Sequence, residues 1–173
     1  MTGWRRLRAL LAAASVLAGC AAARFEDGAY LVPAKGYRVS PPPGWERIPS
    51  EADLALRQPA LGAGLMAHAT CEGRTPTRPL PILARHLRFG LTEVTDLHED
   101  AAEVAGRAAR RSRFRARLDG TPVAVEALTV AGPRCVYDLV VVASAAGLAR
   151  ATPDFERFAA SFALAAGQRT GSP

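Results

Sequence analysis

The sequence contains no apolar run of about 20 residues, the length a helix needs to cross a bilayer. It has no histidine pair at i, i+4 and no Cys-x-x-Cys, which excludes the common zinc motifs. His68, His86 and His98 stand apart from one another. Gly62-Ala63-Gly64 lacks the strand-to-helix context of a phosphate-binding loop. Ser144 and Ser161 lack the surroundings of a nucleophile elbow. No catalytic residue, metal site or cofactor is therefore implied. Aromatic residues make up only 6% of the chain, so the core must lean on alanine, valine and leucine. Lysine is almost missing: of 22 basic residues, Lys35 alone is not arginine.

What is present begins with an export signal. Arg5, Arg6 and Arg8 give a positive leader with no acid. A short apolar stretch follows, of the length of a signal-peptide core and too short to span. Leu17-Ala18-Gly19-Cys20 then matches the bacterial lipobox, a large apolar residue and two small ones before a cysteine. The match implies cleavage before Cys20 and diacylglycerol on its thiol. A single acyl chain binds a membrane reversibly, whereas two or three hold stably. Ala21 is not the aspartate that retains many lipoproteins at the inner membrane, so in a cell with two membranes the periplasmic face of the outer membrane is expected. The competing reading of residues 1–19 is a buried first helix. Charge, apolar run and small-small-Cys in that order favour the leader.

Losing the leader lowers the net charge from +6 to +3. An exported chain of that charge is not expected to meet nucleic acid. Its partners are expected to be the membrane, through Cys20, and an envelope protein. The mature chain is of single-domain size and can bury a core without staples. With Cys20 lipidated, Cys71 and Cys135 remain. They either pair, which the envelope permits, or stay as two small buried hydrophobes.

The organisation read from pattern is a leader over 1–19, a lipidated tether over 20–36, one domain over 37–166 and a tail over 167–173. Alternation predicts a strand over 37–40, ended by Pro41-Pro42-Pro43-Gly44, with Trp45 and Ile48 packing over the turn. A second strand covers 65–71. A Pro-rich loop over 75–81 leads to a helix over 82–89, which Gly90 stops. A short strand is expected over 94–97, and His98-Glu99-Asp100 reads as a solvated loop, although such a cluster could hold a cation. Asp119-Gly120 signals a two-residue hairpin turn. The register it sets puts Arg117 opposite Pro122, Arg115 opposite Ala124, Arg113 opposite Glu126 and Phe114 opposite Val125. Another strand covers 135–143. The last helix begins at Thr152 as N-cap, with Pro153 at its first position. Phe155, Phe158, Ala159 and Phe162 form its apolar face.

Two constellations carry possible chemistry. His68 and Cys71, three apart on a strand, point to opposite faces and do not make a nucleophile and base. Arg111, Arg113, Arg115 and Arg117 share one sheet face by the period of two. Four cations in register repel unless opposed; Glu126 opposes Arg113, and Asp138 is expected to oppose another. One reading is a solvated face whose arginine stems cover the sheet. The other is an anion site for lipid head groups, lipopolysaccharide phosphates or an acidic protein, since the guanidinium fork suits phosphate and carboxylate.

The chain resembles the PsbP/Mog-like domains, including small bacterial envelope lipoproteins of the DcrB type. The matching residues are Tyr37-x-Val39-x-Pro41-x-x-Gly44-Trp45, then Val104-x-Gly106-x-x-Ala109, then Phe155-x-x-Phe158-x-x-Ser161-Phe162. They are turn glycines, core aromatics and helix faces, spread over most of the mature chain. Between Trp45 and Leu65 the match is poor. The resemblance implies an α+β fold, an α/β/α sandwich whose mostly antiparallel sheet is covered by helices. It also implies a non-enzymatic binding or accessory role in the cell envelope. The alternatives are an envelope hydrolase with dispersed catalytic residues, a binder of anionic lipid through the arginine stripe, and a mainly structural envelope component.

Overall fold

The structure is a computed structural model that describes residues 22–71 and 78–165. The leader, Cys20, the first part of the Pro-rich loop and the tail lie outside the described residues. The strands run in chain order as β1 (Arg24–Glu26), β2 (Ala29–Val32), β3 (Tyr37–Val39), β4 (Glu46–Arg47), β5 (Leu54–Gln58), β6 (Ala63–Cys71), β7 (Thr92–Val104), β8 (Arg107–Leu118), β9 (Thr121–Ala131), β10 (Cys135–Ala143) and β11 (Ala163–Leu164). Helix α1 (Leu80–Ala84) lies between β6 and β7, and α2 (Ala145–Ser161) between β10 and β11. Seven strands form one antiparallel sheet in the order β4-β5-β6-β10-β9-β8-β7. A small sheet, β1-β2-β3-β11, stands apart from it.

From Arg24 onward, the stretch expected to be a tether is folded. Asp27 and Gly28 both take positive φ, 49° and 74°, and turn β1 onto β2. Tyr30 and Val32 alternate inward and are buried. They belong to the same core as Tyr37 and Val39 of β3. The domain thus begins at Arg24, and not at Tyr37. The Asp-Gly pair that reads as linker punctuation is a hairpin turn.

Helix α2 is longer than expected. It starts at Ala145, where the Ser144 hydroxyl accepts from Gly147 N–H at 3.1 Å. Pro153 therefore sits inside the helix, not at its first position. Its missing N–H leaves one carbonyl a turn earlier without a helical partner. Beside this break, Thr152 Oγ1 donates to Leu148 O at 2.9 Å, a back-bond of the kind that bends a helix. Gly147 is held by packing: a Cβ there would meet Leu61 O at 2.6 Å.

The apolar face of α2, Ala151, Phe155, Phe158 and Ala159, is buried against Leu65, Ala67, Leu128, Leu139 and Val141 of the large sheet. Tyr37, Tyr137 and Phe162 form a triangle of rings, 5.3 to 5.7 Å between centroids, that ties the small sheet to β10 and the end of α2. The Trp45 indole N–H donates to Asp154 Oδ2 at 2.8 Å and fastens the Pro-rich turn to the same helix. On the other face of the large sheet, α1 and a single 3-10 turn over Arg85–Arg88 cover β8 and β9. The expected helix over 82–89 is thus split, its first turn starting after Pro79 with no side-chain cap. Helix, sheet and helix make the expected sandwich.

A cysteine pair closes one end of the large sheet. Cys71 and Cys135 stand opposite each other on β6 and β10 and are joined by a disulfide, with Cα atoms 4.2 Å apart.

Candidate functional site

The hairpin of β8 and β9 has the register that a two-residue turn dictates, with Arg113 opposite Glu126. Its four arginines lie on the face beneath α2. The difference from expectation is on β7. That strand runs for 13 residues and includes His98, Glu99 and Asp100, so the solvated loop is absent. Two bulges interrupt it: Thr92 pairs with Arg117, Thr95 with Arg115 and His98 with Arg113. Three residues of β7 thus match every two of β8. Glu93 and Asp96 occupy the bulges with positive φ of 50° and 52°. This stretched spacing sets an acid beside each exposed arginine. Arg117 Nε lies 2.8 Å from Glu93, Arg115 Nε 3.5 Å from Asp96, and Arg113 Nη2 3.7 Å from Asp100.

Arg111 is the least exposed end of this ladder. Its guanidinium bonds Glu126, which is itself buried, and reaches Glu156 of α2 at 3.1 Å. Bonding to Glu156 first, and to Glu126, holds Arg111 charged well beyond its ordinary range against the opposing effect of burial. The same bond lowers the Glu156 carboxyl. Beside them opens a cleft of about 480 Å³, lined by Arg111, Arg113, Leu148, Ala149 and Thr152 among others. The stripe is thus a ladder of ion pairs, and a ligand anion has to compete with carboxylates already in place.

Asp138, expected to oppose an arginine, faces the other way. On β10 the residues beneath α2 are Tyr137, Leu139 and Val141, so period two sends Asp138 to the α1 face. There it is 1% exposed. Thr129 Oγ1 donates to its Oδ1 at 2.8 Å, and His86 Nε2 lies 2.8 Å from its Oδ2. His86 Nδ1 bonds Leu83 O. Both ring nitrogens face acceptors, and only the doubly protonated ring donates to both. The bond to Asp138 accordingly raises the His86 pKa, against partial burial. This pairing was invisible to pattern because 52 residues separate its partners.

His68 stands directly opposite Asp138, and Arg110 directly opposite Thr129. Among the described residues, His68 Nδ1, Arg110 Nε and Ser112 Oγ are buried without a hydrogen-bond partner. All three belong to this face. At the sheet margin Asp53 gathers Lys35 Nζ at 2.6 Å, Tyr37 OH at 3.0 Å and Ala69 N–H at 2.8 Å. Burial first, then Asp53, raises the Tyr37 phenol above its ordinary range. His68 Nδ1 remains 3.9 Å from Asp53, too far to bond. No group of three or more metal-ligating side chains forms among the described residues. No described helix is long and apolar enough to cross a membrane. Cys71 is held in the disulfide and offers no free thiol.

No protein-family model matches the chain, and no curated protein matches its sequence. Solved structures do match. Cyanobacterial PsbP (CyanoP) from Synechocystis is similar with a TM-score of 0.60 at 14% identity, over 79% of this chain and 91% of that one. A structure from Bacteroides thetaiotaomicron is similar with a TM-score of 0.57 at 10% identity, over 80% of this chain and 48% of that one. LpqN of Mycobacterium tuberculosis, described as involved in cell envelope biogenesis, gives 0.53 at 12% identity, over 75% and 83%. The domain therefore has a PsbP-like α+β fold.

Proposed function

We propose that this chain is a lipid-anchored protein of the cell envelope whose PsbP-like domain is a non-enzymatic binding or accessory module. The observation that carries this reading is the lipobox Leu17-Ala18-Gly19-Cys20 standing immediately ahead of a folded domain that begins at Arg24. A domain held that close to a membrane acts on what reaches the same surface. The likeness to LpqN, described as involved in envelope biogenesis, supports the compartment. The periplasmic face of the outer membrane is the expected site where two membranes exist, and an envelope protein the expected partner.

The hydrolase alternative needs a nucleophile beside an activated base. The best base on offer, His86, has both ring nitrogens engaged by Leu83 and Asp138. Anionic lipid as ligand of Arg111, Arg113, Arg115 and Arg117 requires displacing the β7 carboxylates together with Glu126 and Glu156.

Mass spectrometry of the mature N-terminus tests the anchor, and crosslinked pull-down from native envelopes tests the role, beside a Cys20→Ala control. The reading expects acyl mass on Cys20 and a protein recovered only with the acylated form. An unprocessed or unacylated N-terminus overturns the anchor. Equal recovery from the control overturns the dependence of partner choice on it.

A further inference from the structure

The anchor and the fold together constrain orientation, and this inference rests on the lipidation of Cys20 proposed above. From Cys20 to Arg24 the chain spans at most about 14 Å when fully extended. Strand β1 forms the rim of the small sheet, and all three of its residues are exposed. Phe25 stands opposite Tyr30, which is 3% exposed, yet Phe25 itself is 50% exposed. The two rings meet at 4.9 Å, and the Arg47 guanidinium lies 5.3 Å over the same tyrosine. Arg24 is opposite Leu31, and Leu31 opposite Arg38, so these two arginines share the outer face of the small sheet. The rim strand from which the chain leaves for its lipid thus carries a half-exposed ring on the side of Tyr30 and Arg47, and Arg24 on the outer side that it shares with Arg38.

We propose that the hairpin of β1 and β2 seats on the bilayer, with Phe25 at the boundary of head groups and acyl chains. Arg24, Arg38 and Arg47 then reach the head-group phosphates. Glu26 and the turn residue Asp27 offset two of these charges, so seating does not depend on a net anionic membrane. The contact of Arg47 with Tyr30 ties the hairpin to the β4 side of the large sheet. Strand β7, six strand spacings from β4, lies about 29 Å away across the sheet. Its Leu97 is exposed there, at the far edge of the sheet from β4.

The test uses full-length acylated protein in phosphatidylcholine vesicles whose acyl chains carry bromine, a quencher of tryptophan. Trp4 is lost with the leader, and Trp45 is 8% exposed and gives a protected background. Phe25→Trp is expected to shift its emission to the blue and lose intensity in brominated vesicles, while Leu97→Trp does neither. Slower amide exchange over β1 and β2 in vesicles than in detergent is expected of the unsubstituted protein. If Phe25→Trp is quenched no more than Leu97→Trp, and exchange is unchanged, while mass spectrometry shows lipid on Cys20, the seating is overturned and the anchor stands. Absence of lipid on Cys20 overturns both.

Discussion

Beneath α2, strand β10 presents Tyr137, Leu139 and Val141 to an apolar layer; one residue out of phase, the same strand presents Asp138 to a polar one. The first face is closed by Phe155 and Phe158, both fully buried. The second is closed by a five-residue helix and a 3-10 turn, held through His86 on Asp138 and Arg88 near Glu99 at 3.7 Å. Its apolar part is small: Phe114, Ala116 and Val125, with neighbours such as Leu91. Around Phe155 and Phe158 the first face rests on apolar packing. The other depends on particular polar partners, and leaves three buried atoms without any.

The largest expected difference between the faces comes from emptying the first. Phe155→Ala should cost about 3–5 kcal/mol in urea unfolding, because a filled layer cannot collapse into the space of a ring. A loss under about 1 kcal/mol would mean the α2 face is no better packed than its opposite. On the polar face, Asp138→Ala should cost about 1–3 kcal/mol, since it orphans the buried Thr129 hydroxyl.

That face should also respond to pH. The His86 pKa is raised in the fold, so its contribution is complete below the ordinary histidine value of 6.5 and is lost as pH rises through the folded value. The Tm gap between the wild type and His86→Gln should therefore shrink on moving from acid to alkaline buffer. A gap that widens with pH would show that His86 binds Asp138 as a neutral ring. Ser112→Ala removes a buried hydroxyl that has no partner, and should leave stability unchanged or raise it by up to about 1 kcal/mol. A clear loss would reveal a bond to that hydroxyl.

The smallest effect is expected on the ladder. Arg115 and Asp96 are both more than half exposed, and Arg115→Ala should change stability by about 0–1 kcal/mol. Charge reversal at Arg113 and Arg115 together should abolish anionic-vesicle binding by the delipidated domain if the ladder is an anion site. Unchanged binding assigns it to structure.

These contrasts also mark what pattern could reveal. The Asp119-Gly120 hairpin was legible because turn chemistry and period two agree over its whole length. Strand β10 was legible as a continuous apolar run. Of the small sheet only β3 was legible, because β1 and β2 hold three and four residues, too few to show a period. Strand β7 was legible only over 94–97, because the bulges at Glu93 and Asp96 break its alternation and left His98, Glu99 and Asp100 to read as a loop. The start of α2 was misplaced because Thr152-Pro153 imitates an N-terminus, while the true cap, Ser144, follows a strand without a break. The arginines of the candidate site and the opposing Glu126 were found from sequence, and the acids of β7 were not, since the bulged spacing that joins them to the arginines belongs to no regular period.

The bulged strand has one more consequence, which concerns the crowding of copies. A protein confined to a membrane surface meets its own kind at a far higher effective concentration than one free in solution. A long, flat rim of open backbone would let neighbours zip together edge to edge into a continuous sheet. Strand β7 is such a rim by length, but its two kinks and its row of Glu93, Asp96 and Asp100 spoil the template. What reads along one chain as an irregularity spoils that rim as a template for the strand of a second copy.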